Sequence, residues 1–98
     1  MSRRFSFHEA AELEIIAAAS FLEAEQADLG QGLIDEVEQA IKQILTYPHS
    51  CQLVNRTVRR KVLRRFPYDI MYSVKPEVIR ILALASQRRR PFYWRGRV

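Results

Sequence analysis

At 98 residues, with 48% hydrophobic side chains and a single cysteine, the chain is long enough for one small domain, residues 1–98, and too poor in cysteine for a disulfide framework. No apolar run reaches the roughly 18 residues of a membrane span, and MSRRFSFHEAAELEII turns acidic before it builds the apolar core of a secretion signal, so a soluble cytoplasmic protein is expected. The net charge of +5 divides unevenly: residues 1–50 carry nine acidic side chains against three basic ones, and residues 51–98 two against thirteen, which predicts one acidic and one basic surface.

In chain order, RRFSF (3–7) has the alternation of a short strand. Ser6-x-x-Glu9 reads as a capping box opening a helix over about 7–27, with His8 a solvated polar residue in its first turn. Leu13, Ile16, Ala17, Phe21 and Ala24 recur at spacings of three and four and predict its buried stripe. The two glycines of DLGQG (28–32) are expected to break the helix. LIDEVEQAIKQILTY (33–47) then predicts a second, clearly amphipathic helix through Leu33, Val37, Ile41 and Leu45, stopped by Pro48.

After Pro48 the period changes. CQLVN (51–55) predicts a short edge piece, VRRKVLRR (58–65) an arginine-bearing strand and YDIMYSV (68–74) a further strand. KPE is a tight turn. VIRILALAS (78–86) is apolar on both faces except for Arg80, as an inner strand under helices would be. The expected fold is α+β: a β-α-α-β-β-β order with a helical hairpin on one face of a mainly antiparallel sheet. Its other face is bare and carries the arginines.

The strings RRKVLRRFPYDIMYSV and VIRILALASQRRRPFYW, with the acidic helix LIDEVEQAIKQILTYP, resemble the ParE-like branch of the RelE/ParE superfamily of type II toxins. The resemblance runs from about residue 5 to 95 and agrees with the element order read from periodicity. It implies a bacterial toxin of the plasmid-stabilisation kind, neutralised by a small acidic antitoxin. It also implies one of two targets. ParE-like members poison DNA gyrase, whereas RelE-like members cleave messenger RNA on the ribosome.

Ribonuclease chemistry without metal requires a general base, cations on the phosphate and an acid for the leaving oxygen. Arg64, Arg89 and Tyr93 are the candidates for such roles. Nuclease relatives place an arginine after the strand tyrosine, however, whereas here Tyr68 is followed by Asp69, whose negative charge opposes phosphate chemistry. His8 and His49 read as solvated. His49 and Cys51 lack the second pair that a zinc site needs, and Gly30, Gly32 and Gly96 make no phosphate-cradling loop. No metal or cofactor is expected.

Gyrase poisoning needs only a complementary surface. Arg60, Arg64, Arg65, Arg88, Arg89, Arg90, Tyr93 and Trp94 are the expected target contacts, because arginine supplies forked, permanently charged donors. Strand alternation leaves open which of Arg59–Arg65 share a face. Phe92 or Trp94 is expected to pack on the sheet and hold Arg88–Arg90 at its rim, while Arg95–Val98 best fits a frayed end. The reading is therefore a gyrase-directed toxin. The rivals are a ribosome-dependent endoribonuclease and an inactive relic or binding module that keeps only the antitoxin surface.

Overall fold

The computed structural model describes residues 4–98. Strand β1 (Arg4–Phe7) leads into helices α1 (Glu9–Glu25) and α2 (Leu29–Thr46). Strands β2 (Gln52–Leu53), β3 (Val58–Val62), β4 (Tyr68–Val74) and β5 (Val78–Ser86) follow. The sheet order is β1-β5-β4-β3-β2. Only the β1–β5 pair is parallel; the other ladders are antiparallel. The expected α+β architecture, its element order and β5 as an inner strand are therefore all observed. Arg3, the first residue of the expected strand 3–7, lies outside the described residues.

The principal core lies between the helical hairpin and one sheet face. Ala11, Ile15, Leu33, Val37, Ile41 and Ile44 meet Ile70, Tyr72, Ile79 and Ile81 there. Each large aliphatic group buried in this layer contributes about 1.5–3 kcal/mol. Tyr72 is fully enclosed, and its phenol donates to the Pro48 carbonyl at 2.9 Å, tying the end of α2 to the middle of the sheet.

Three local expectations are corrected. First, α1 buries a different stripe. Ala11, Ile15 and Ala18 face the core, whereas Leu13, Ile16 and Phe21 are 66, 59 and 62% exposed. The helix is apolar on both sides, and its small residues face inward where the backbones approach closely. Second, α1 begins after Ser6, not at it. His8 is the N-cap, and its Nδ1 accepts from the Ala10 N–H at 3.0 Å. Ser6 stays in β1, where its Oγ accepts from Arg80 Nη1 at 3.1 Å.

Third, the glycines of DLGQG lie inside α2 rather than between the helices. The break is confined to 26–28, with Asp28 left-handed at φ 70°, a region that Asp tolerates better than most residues. A Cβ at Gly30 would collide with the Ala19 backbone oxygen and press on Glu23. Gly30 thus permits the close crossing of α1 and α2. The Glu23 carboxylate also accepts from the Asp28 and Gly30 N–H groups at 2.8 and 3.0 Å, capping the orphan donors of α2. Gly30→Ala is expected to cost about 1–3 kcal/mol through overpacking, read as a lower denaturation midpoint with an unchanged slope.

Candidate target-binding face

The sheet face opposite the helices is not bare. A second cluster of Val58, Met71, Leu82, Ala83 and Ala85 is closed by Trp94, which is 3% exposed. The sheet supplies the seat through a bulge between Met71 and Tyr72 of β4, where Tyr72 pairs with Ile81 and Met71 with Ala83. Leu82 is the extra residue. It and Ala83 both join the Trp94 cluster, while Ile81 and Leu84 belong to the helix-side core. Trp94 packs on the sheet, as expected of one of the two aromatics. Phe92 stays 40% exposed, in the left-handed region at φ 62°, with its ring 5.5 Å from that of Trp94.

The chain end is fastened along an otherwise open edge. β1 pairs with β5 only from Val78 to Ile81, which leaves the next backbone groups of β5 in need of partners. His8 N–H donates to the Ile81 carbonyl at 2.8 Å. Arg97 Nη1 donates to the Leu82 carbonyl at 3.0 Å, the Leu84 N–H donates to Glu14 Oε1 at 3.2 Å, and the Tyr93 hydroxyl donates to the Leu84 carbonyl at 3.3 Å. Glu14 also receives a forked ion pair from Arg97, at 2.9 and 3.2 Å. The frayed-end expectation for Arg95–Val98 is therefore wrong at Arg97. The Val98 carbonyl, too, accepts from Arg80 Nε at 3.2 Å.

Tyr93 is committed within this cluster. The Arg89 guanidinium carbon lies 3.9 Å from its ring centroid and that of Arg97 5.2 Å. Burial pushes its phenol well above the ordinary tyrosine value, the neighbouring Glu14 carboxylate pushes it further, and Arg89 and Arg97 oppose the rise. Tyr72 is raised likewise, by burial first and then by Cys51 beside it. Both raised groups keep their protons in the folded state above pH 10.0, the ordinary value at which the unfolded chain gives them up. Their contribution to stability is full below that pH and is lost as pH rises beyond it. Thermal melts are thus expected to fall in midpoint above about pH 10, less so for Tyr93→Phe.

The expected site residues divide between two places. Arg60, paired with Met71 across the β3–β4 ladder, lies on the face that holds Trp94. It lines a groove of about 410 Å³ with Arg89, Arg90, Phe92, Tyr93 and Trp94. Arg88 is exposed and outside that lining. Arg64 and Arg65 lie elsewhere because β3 ends at Val62, and Leu63 and Phe66 then turn into the helix-side core. Their backbone N–H groups donate to the Glu36 carboxylate on α2, and their side chains border a separate groove beside Asp35 and Gln39. Asp69 sits on the floor of the Trp94-side groove, 8% exposed, accepting from Gln87 Nε2 at 3.1 Å.

The sequence places Arg59 on the arginine-bearing strand among candidate surface cations. Arg59 instead braces the loop after α2, donating to the carbonyls of His49 at 3.1 Å and Cys51 at 2.6 Å. Sequence reasoning missed Glu14 and Arg97 altogether. No spacing signal joins residues 83 positions apart, although an acid at a half-buried position of α1 and a basic residue near the chain end are compatible with such a pair. Among the described residues, no three His, Cys, Asp or Glu side chains gather as metal ligands, and no helix is long and apolar enough to cross a membrane.

Comparison with known proteins accords with this architecture. A search of curated protein sequences returns no match. Among solved structures, one described as the chromosomal ParDE TA system from P. aeruginosa superposes with a TM-score of 0.76 at 15% identity, over 87% of this chain and 96% of that one. At that identity the likeness speaks for the fold. The model of the family described as the ParE toxin of the type II toxin–antitoxin system, parDE, matches residues 5–91. With the match spanning both helices and, but for Arg4, every strand, the chain belongs to the ParE toxin family of parDE toxin–antitoxin systems.

Proposed function

We infer that this toxin acts by inhibiting DNA gyrase through the Trp94-side face, and that a cognate antitoxin neutralises it. The observation that carries the reading is the state of Tyr93. Of the nuclease candidates it alone could pass on a proton, because Arg64 and Arg89 stay charged. Here its hydroxyl is committed to the Leu84 carbonyl and its ring lies against the Arg89 and Arg97 guanidinium groups. The surrounding arginines then serve as a binding surface rather than as partners to an acid–base pair. Arg64, the third nuclease candidate, borders a different groove from Arg89.

Induction in bacteria separates the targets. Gyrase inhibition yields an SOS response and filamentous cells with intact transcripts. Rapid arrest of translation with cut messages supports the ribosome-dependent nuclease instead, and normal growth the inactive relic.

The antitoxin's seat is the outer face of α1. Leu13, Ile16 and Phe21 form an exposed apolar stripe of the kind that marks an interaction surface. Exposed Glu9, Glu12, Glu23 and Glu25 flank it, and α1 has no lysine or arginine. An amphipathic antitoxin helix with basic flanks fits this rim, even within an antitoxin that is acidic as a whole. Ile16→Asp/Phe21→Asp is expected to escape neutralisation at least tenfold while folding and killing normally. Coexpression growth and co-purification with the antitoxin measure this, and undiminished rescue rejects the seat.

A further inference from the structure

We propose that the Trp94-side face grips the phosphodiester backbone of duplex DNA, so that the toxin engages gyrase together with its DNA rather than the enzyme surface alone. This rests on the gyrase reading above and supplies its missing chemistry. Two grooves flank the Trp94 cluster on one sheet face, with volumes of about 520 and 410 Å³. Arg56 and Lys75 line the first, and Arg60, Arg89 and Arg90 the second. A band of cations therefore crosses the face from the β4–β5 turn to the start of the C-terminal segment.

Little opposes that band. Asp69 is the single acidic side chain lining either groove, and it is buried and accepts a hydrogen bond from Gln87. Among the described residues both ion pairs converge on Glu14, one of them a long contact of 3.8 Å from Arg89. Arg56, Arg60, Lys75 and Arg90 have no acidic partner there. Arg60 makes only a long 3.4 Å contact with Gln52.

The occupant follows from what the face lacks. An acidic peptide that folds on binding needs a continuous apolar stripe such as the one on α1; here the exposed apolar groups are divided, with Leu53 and Val98 in the first groove and Val62 and Phe92 in the second. A phosphate backbone needs only spaced cations. Four of the five are arginine, whose fork matches phosphate bidentately. The C-terminal segment is braced on Glu14, so Arg89 and Arg90 are presented from a fixed base.

The test is fluorescence anisotropy of the purified chain on a labelled 20-base-pair DNA duplex across a salt series. Five contacts predict log K falling against log salt with a slope of about −4.5, at about 0.9 per phosphate. Arg60→Ala/Arg90→Ala should make the slope shallower by about 2, and Arg64→Ala/Arg65→Ala, in the other groove, should leave it unchanged. No binding at 50 mM salt overturns the proposal. So does equal loss in both double variants, equal affinity for polyglutamate, or a preference for duplex RNA. A parallel supercoiling assay keeps the two readings apart: DNA binding without gyrase inhibition removes the gyrase reading alone. Gyrase inhibition without DNA binding removes this one alone.

Discussion

Trp94→Ala is expected to cost about 3–5 kcal/mol, the usual range for deleting a buried tryptophan. Domains of this size hold about 5–15 kcal/mol in all, so about a fifth or more of the stability is at risk. The loss combines the cavity left among Val58, Met71, Leu82 and Ala85 with release of the chain end that Trp94 fastens. Thermal melts should drop by well over 10 °C. Hydrogen exchange should rise through residues 88–97 before the β4–β5 ladder opens. Trp94→Phe should recover much of the midpoint. A change below 1 kcal/mol would mean that the second cluster is not a core.

The next largest effect is expected at Glu14. Its side chain is 15% exposed and that of Arg97 is 18% exposed, so solvent screening is limited. Glu14→Ala strands the Arg97 guanidinium and the Leu84 N–H, and each loses a partner close to the sheet. An unpaired, largely buried donor costs about 1–3 kcal/mol, and a charge left alone costs more. A total of about 3 kcal/mol is expected. Arg97→Ala should cost less, because Glu14 keeps the Leu84 N–H and its contact with Arg89. The double variant should fall well short of the sum, which a double-mutant cycle measures. Strict additivity would show that the two residues do not act as a pair.

Much of the fold was legible because its signals were local. The ranges of β4 and β5 were read from YDIMYSV and VIRILALAS to the residue, since turn chemistry bounds both. The face of α1 was not legible, because apolar residues spaced by three and four trace two stripes around EAAELEIIAAASFLEAE. Side-chain size chose between them: the tight contact with α2 and the sheet admits alanine and turns Leu13, Ile16 and Phe21 outward. The glycines of DLGQG misled for a related reason. Glycine breaks helices in isolation, yet at Gly30 the need for close approach outweighs its entropy cost.

The candidate site was legible in kind but not in layout. A run from Val58 to Arg65 reads as one basic strand. Leu63 and Phe66 are drawn into the helix-side core, and the strand therefore ends at Val62, placing Arg64 and Arg65 away from Arg60. The tail was read correctly as anchored by an aromatic. Its fastening to Glu14 depends on tertiary contact between residues 14 and 97, which no window of sequence contains.

Relaxation of supercoil-forming activity is the most direct test: purified gyrase is assayed on plasmid DNA with the toxin and with its Arg60→Ala/Arg90→Ala variant. Both substitutions lie at solvent-accessible positions, so the two proteins should melt alike. The account predicts that the parent chain blocks supercoiling and accumulates cleaved DNA, and that the variant does neither. A variant that melts like the parent and inhibits gyrase equally well would contradict it.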